Sequence, residues 1–207
     1  MVENSIAARG VTDPRVLRAM RRVPRHEMVP PVIRYRAYED RPLPIGYEQT
    51  ISQPYVVAAM TEAAQVAPGE RVLEVGTGSG YQAAVLAELG GVEVYSIEIV
   101  EPLAKATHRM LRDLGYKALN LRIGDGYRGW PEAAPFDAII VTAVAPEVPK
   151  PLIDQLAPNG RLVIPVGDRE QYLQVITKQA DGSTTTENLF EVRFVPMTGE
   201  AQRAGKT

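Results

Sequence analysis

The chain has 207 residues, 45 % of them apolar and 23 % charged, a balance that excludes a disordered or fibrous protein and lets one domain bury roughly 70 % of its unfolded surface. Its 23 Lys and Arg against 25 Asp and Glu leave a formal charge of −2, so no global basic field draws it to nucleic acid or to an anionic membrane. Cysteine is absent, which removes disulfides, thiolate metal sites and cysteine nucleophiles, and with no long apolar run and no charged-then-apolar leader a soluble, cytoplasmic protein is expected.

From Met1 to about Thr50 the chain is basic and punctuated by proline. Asp13-Pro14 predicts a helix start, with Asp as cap and Pro in the first turn. Val16, Leu17 and Met20 would form its apolar face, while Arg15, Arg18, Arg21 and Arg22 read either as a solvated face or as a grip on a phosphate polymer. Pro42 to Gln49 carries two prolines and a glycine, so an irregular loop is expected there, either a cover over a site or a plain connection. Ser52-Gln53-Pro54 predicts a second helix, running through Val56, Val57 and Met60 to about Val66, with Pro68-Gly69 breaking it.

Strands and helices then alternate. Val72 to Val75, Val92 to Ile97, Leu119 to Ile123, Phe136 to Val141 and Arg161 to Val166 read as strands; Tyr81 to Leu89, Glu101 to Gly115 and Pro149 to Leu156 read as helices. Such spacing implies right-handed crossovers and a doubly wound α/β fold, its parallel sheet covered on both faces. Four residues between Val166 and Gln171 are too few for a parallel crossover. Gln171 to Thr177 should therefore fold back antiparallel, and Asp181-Gly182 should turn into a last strand at about Leu189 to Val195. The expectation is a single domain with about seven strands: a helical and loop segment (1–53) over the active site, an α/β core (54–166) and antiparallel C-terminal strands (167–207).

Glu74-Val75-Gly76-Thr77-Gly78-Ser79-Gly80 occupies the first strand-to-helix turn, where glycines permit a sharp bend and close approach of a ligand to bare backbone. Glu98, followed by Ile99, ends the second strand, where a carboxylate can accept from both ribose hydroxyls. Asp125, with Gly126, follows the third and can accept from an adenine amine. All three features sit at the ends of consecutive strands, the crevice in which such sheets bind ligands. A dinucleotide fingerprint would need glycine at Tyr81, and no Gly-Lys-Ser/Thr phosphate loop exists. Glu74 would repel pyrophosphate and suits a cation. S-adenosylmethionine, with a sulfonium and an ammonium and no phosphate, is therefore preferred to NAD, and the sheet is expected to be of the S-adenosylmethionine-dependent methyltransferase, Rossmann-like type.

Several segments together resemble the protein-L-isoaspartate O-methyltransferase family: Ala37-Tyr38-Glu39-Asp40, Pro42 to Tyr47, Gln49-Thr50-Ile51-Ser52-Gln53-Pro54, Leu73 to Ala87, Gly124-Asp125-Gly126, Ala134 to Asp137, Pro165-Val166-Gly167 and Arg193 to Pro196. The Thr-Ile-Ser-Gln-Pro segment discriminates, since the glycine turn is common to methyltransferases. Glu48 departs from the glycine or small residue expected there, and Asn159-Gly160 replaces a double glycine. The resemblance implies methylation of the α-carboxylate of L-isoaspartyl residues in damaged proteins and peptides, followed by collapse of the ester to a succinimide. It also implies that Ser52 lies beside substrate carboxylate and cofactor, flanked by Ile51 and Gln53. Glu98 falls on the ribose, Asp125 and Gly126 on the adenine, and Val195 and Thr198 near the peptide groove and cofactor. No metal is implied, and a monomer that binds neither nucleic acid nor membrane is expected.

The chemistry agrees with a chain that has only two histidines. An α-carboxyl, with a reference pKa of about 3.3–3.7, is roughly 99.9 % ionised at pH 7, so no general base is required. Ser52 would orient it by a hydrogen bond, or would simply cap the helix opening at Pro54; both readings stand on sequence. His26 and His108 read as packing or surface residues, and Trp130, Tyr35, Tyr38 and Tyr47 as groove lining or plain wall. A nucleic-acid or amine methyltransferase is disfavoured, because Val141 to Pro146 lacks an Asn/Asp-Pro-Pro-aromatic segment. A metal-dependent O-methyltransferase would need clustered Asp ligands. A binding module that recognises isoaspartate or holds the cofactor without methyl transfer, and a methyltransferase acting on another carboxylate, remain as alternatives.

Overall fold

In the computed structural model, residues 1–204 are described. Helix α1 (Pro14–Arg22) begins as expected: the Asp13 carboxylate accepts from the N–H groups of Arg15 and Val16. Three of its four arginines are engaged within the protein. Arg15 donates to the Val66 carbonyl at 2.7 Å, and Arg21 and Arg22 pair with Glu3 and Glu88.

Pro42 to Gln49 is a correction to the expected irregular loop. Strands β1 (Leu43–Gly46) and β2 (Gln49–Ile51) form an antiparallel hairpin there. Proline is tolerated because a two-stranded ribbon has a free edge on each strand. Tyr47 and Glu48 make the turn with φ of 53° and 58°, the left-handed pair that matches strand twist.

Helix α2 (Pro54–Ala64) leads into β3 (Arg71–Val75), α3 (Tyr81–Glu88), β4 (Glu93–Glu98), α4 (Glu101–Asp113), β5 (Asn120–Ile123), β6 (Phe136–Val141), α5 (Lys150–Asp154), β7 (Leu156–Gly167), β8 (Gln171–Lys178), β9 (Thr184–Val192) and a short α6 (Ala201–Ala204). Seven strands form one sheet in the order β5-β4-β3-β6-β7-β8-β9. The first five are parallel and β8 and β9 antiparallel, as the short 166–171 connection required. Neighbouring residues point to opposite faces. Val72, Ile140 and Val163 enter the core beneath α1, α2 and α3, while Leu73, Ile139 and Leu162 enter the core that contains Leu152 of α5.

Two strand boundaries differ from expectation. β7 starts at Leu156, not Arg161, because Leu156 already pairs with Phe136 of β6; residues 157–160 bulge out before the ladder resumes at Arg161 opposite Ala138. β9 covers Thr184–Val192, not Leu189 to Val195; its exposed polar first half is held by main-chain pairing with β8. Residues after Val192 leave the sheet edge and cross the ends of the parallel strands. There the Val144 N–H donates to the Val195 carbonyl at 2.9 Å and the Met197 N–H to the Val144 carbonyl at 2.8 Å. Chain order reverses at β3, which lies between β4 and β6, so the crevice for a ligand opens at the carboxyl ends of β3 and its neighbours.

Candidate active site

A cavity occupies that crevice, with about 780 Å³ free of protein atoms, its mouth included. Of the residues expected at the cofactor, Ser52, Glu74, Gly76, Thr77, Gly78, Ser79, Glu98, Ile99, Gly126 and Thr198 line it.

The glycine turn is held open by a ring of bonds. Gly76 and Thr77 donate their N–H groups to the Ile97 carbonyl, the Thr142 hydroxyl donates to the Gly76 carbonyl at 2.6 Å, and the Thr107 hydroxyl donates to the Gly78 carbonyl at 2.6 Å. Gly76 sits at φ 97°, and a Cβ there would meet Thr142 Oγ1 at 2.5 Å, so only glycine fits. Gly80 lies outside the lining. At φ 79° it opens α3, and its bare Cα admits Leu111 and Thr107 of α4.

Glu98 is 6 % exposed and accepts from the Gly78 N–H through Oε2 and from the Val100 N–H through Oε1, both at 2.8 Å. Each carboxylate oxygen keeps a lone pair for a further donor. Asp125 is placed differently from expectation. Its oxygens accept from the Tyr127 N–H at 3.0 Å and the Glu200 N–H at 2.8 Å, and it stands outside the cavity lining while Gly126 is within it. The carboxylate thus ties the crossing C-terminal segment to the end of β5, with a bidentate Arg128–Glu200 ion pair beside it.

Glu74 has no solvent exposure. Burial, with Glu98 adding repulsion, pushes its carboxyl up to about 8 against the opposing hydrogen bond from the Ser96 hydroxyl to Oε2. Among the described residues its other oxygen, Oε1, has no hydrogen-bond partner, and neither does Oε1 of Gln82, whose amide donates to Thr61. Both residues line the cavity. Buried acceptors without partners are costly. Here they leave the wall short of donors, which an ammonium supplies. The cavity therefore fits S-adenosylmethionine: acceptors at Glu74 and Gln82 for its amino-acid end, Glu98 for its ribose, bare backbone at the glycine turn and no cationic cradle for phosphate. Gln82 carried no signal in the sequence, since it reads as one more residue of an amphipathic helix.

A second groove runs alongside, lined among others by Tyr55, Phe190, Phe194, Gln53, Arg9 and Arg193. Cavity and groove share four residues: Thr50, Ser52, Thr142 and Val195. Ile51, by contrast, is 1 % exposed and belongs to the core. Nor do the other aromatic candidates line the groove: Trp130 packs edge-on against Tyr95, and Tyr35, Tyr38 and Tyr47 are exposed. His26 lies 2.7 Å from the Tyr38 hydroxyl and His108 is in α4, both away from the cavity lining.

The cap reading of Ser52 is also decided by geometry. Helix α2 is capped from a distance: Asp40 accepts from the Tyr55 N–H at 2.9 Å, from the Gln53 amide at 2.9 Å and from Arg9 at 3.1 Å. Among the described residues the Ser52 hydroxyl has no partner.

Comparison with known proteins agrees. Residues 1–202 match the family model described as protein-L-isoaspartate(D-aspartate) O-methyltransferase. The chain is 57 % identical over 202 residues to a protein-L-isoaspartate O-methyltransferase of Gloeobacter violaceus, covering 97 % of this chain and 98 % of the relative. It is 59 % identical to one from Opitutus terrae, covering 97 % and 86 %. A solved protein-L-isoaspartate O-methyltransferase superposes with a TM-score of 0.87 at 30 % identity, over 100 % of this chain and 70 % of that one. A Plasmodium falciparum structure described as a beta-aspartate methyltransferase, in complex with S-adenosyl-L-homocysteine, gives 0.82 at 29 % identity over 95 % and 96 %.

Proposed function

Because the chain belongs to the protein-L-isoaspartate(D-aspartate) O-methyltransferase family, we propose that it esterifies the free α-carboxylate of L-isoaspartyl residues in damaged proteins and peptides, with S-adenosylmethionine as donor. One observation supports this most: the cavity at the glycine turn and the adjoining groove share just four lining residues, Thr50, Ser52, Thr142 and Val195. A small cofactor held in one and a peptide laid in the other would touch at that boundary.

When bound, the donor would supply a sulfonium-borne methyl whose carbon an anionic oxygen attacks in line: the O–C bond forms as the C–S bond breaks, a neutral thioether leaves, and both charges are cancelled. The remaining work belongs to the chain. Glu98 accepts from the ribose hydroxyls with the lone pairs left by Gly78 and Val100. Glu74 and Gln82 accept from the ammonium. Ser52 donates its hydroxyl to the substrate carboxylate and fixes which oxygen faces the cavity, a hydrogen bond of about 1.5–3 kcal/mol to a charged acceptor. No side chain takes a proton, because the acceptor arrives ionised. Holding the pair in near-attack geometry supplies on the order of 7–11 kcal/mol of the barrier. The ester then leaves, and attack by the following main-chain nitrogen on the ester carbonyl closes the succinimide, the acyl C–O bond breaking to release methanol.

Radiolabelled methyl transfer to an isoaspartyl peptide and to its aspartyl twin tests the reading. Label is expected in the first alone. Equal labelling of both, or label in neither, overturns it.

A further inference from the structure

Arg25 is wholly buried, yet among the described residues it has no carboxylate partner. Its guanidinium donates instead to three main-chain carbonyls: Nη1 to Ala37, and Nη2 to Arg41 at 3.2 Å and Ser52 at 2.8 Å. Ala37 and Arg41 precede the β1–β2 hairpin and Ser52 follows it. One planar cation thus fastens the two ends of the hairpin together. It also lies 5.2 Å over the ring of Tyr81, the first residue of α3 and the residue after the glycine turn. Burial alone does not explain this arrangement, since a desolvated charge is expensive and an apolar side chain would fill the space at lower cost.

The Ser52 hydroxyl has no hydrogen bond of its own among the described residues, so its place depends on the main chain that carries it. That main chain is held by Arg25. We propose that Arg25 is a positioning residue of the reaction, fixing Ser52 against the glycine turn so that its hydroxyl meets the acceptor carboxylate at the boundary of cavity and groove. The inference rests on the reading of Ser52 given above. A guanidinium suits the task because its fork reaches several carbonyls at once, whereas an ammonium is a point donor.

Arg25→Lys keeps the charge and loses the fork. Single-turnover methyl transfer at saturating donor and isoaspartyl peptide is expected to fall about ten-fold or more, since small displacements of a reacting pair cost that much. The dissociation constant of S-adenosylhomocysteine should stay within about two-fold of wild type. In a Ser52→Ala background Arg25→Lys should cause no further loss of rate, because it acts through Ser52. A wild-type rate in the folded variant overturns the inference, as does the same fold loss in the Ser52→Ala background or a parallel loss of cofactor affinity. If Arg25→Lys is unfolded at the assay temperature, Arg25→Gln is read by the same criteria. Unfolding of both makes Arg25 a folding determinant, and the inference falls. A wild-type chain with no transfer to the isoaspartyl peptide sinks the functional reading itself, a result distinct from all of these.

Discussion

Glu74 gives the sharpest prediction, because burial dominates its protonation state until a ligand arrives. The folded protein holds the proton up to about pH 8, whereas an exposed glutamate releases it near 4.5. A carboxyl whose folded pKa is raised contributes fully below the unfolded pKa. That contribution is lost as pH rises, because the unfolded chain releases its proton first. Between pH 4.5 and 8 the loss accumulates at up to about 1.36 kcal/mol per pH unit, about 5 kcal/mol in all. Glu74→Gln keeps the shape and the hydrogen-bonding oxygen but cannot ionise. Every other group titrates alike in both proteins, so the difference in unfolding free energy isolates Glu74. Urea unfolding of the ligand-free proteins at pH 5, 6, 7 and 8 should show the variant gaining on wild type by up to about 1.4 kcal/mol at each step. A difference that stays flat across this range refutes the buried, unpaired carboxyl. The same substitution should weaken cofactor binding at pH 8, where the wild-type carboxylate faces the ligand's positive charge.

Other substitutions probe separate parts of the site. Ser52→Ala should slow single-turnover transfer by about ten-fold or more, the worth of a hydrogen bond to a charged acceptor, with cofactor affinity measured by calorimetry little changed. Rates equal to wild type would remove its orienting role. Asp125→Ala removes the carboxylate that accepts from the Glu200 N–H. It should both raise the cofactor dissociation constant and speed proteolysis after the C-terminal crossing, and an unchanged constant would take Asp125 out of cofactor binding. Glu48→Gly should raise the unfolding free energy by about 0.5–1 kcal/mol, because glycine meets no Cβ penalty at φ 58°. Thermal melts that move downward would show that the Glu48 side chain contributes more than its strain costs.

Much of the sheet was legible because buried parallel strands are written as short apolar runs between Pro- and Gly-marked breaks, as at Val72 to Val75 and Phe136 to Val141. The hairpin was not, because Pro44 and Gly46 spell a loop by composition, and what makes a ribbon there is an edge that needs no N–H from Pro44. The first half of β9 was hidden for the opposite reason: Thr184 to Glu187 are exposed and polar, and their pairing comes from the main chain. At the site, Glu98 and the glycine turn could be read because strand ends converge by topology. Gln82, Thr142 and Arg25 could not, since each acquires its role from a partner remote in sequence: Thr61, Gly76 and Ser52.

Glu48 shows how a departure from a pattern becomes physical. A small residue is expected at that position, and the structure explains why: Tyr47 and Glu48 both sit in the left-handed region of a two-residue turn. Ser52 shows the converse. A serine two residues before a helix invites the cap reading, but a capping hydroxyl would be tied to the first turn and unable to meet a substrate. Asp40, twelve residues upstream, takes over that duty by accepting from the Tyr55 N–H, and Arg25 holds the Ser52 carbonyl from the other side. The helix end is thereby satisfied without Ser52, and the hydroxyl is left at the boundary of the two cavities with its donor free. What makes this serine a site residue is therefore less its own surroundings than the two charged side chains that relieve it of structural work.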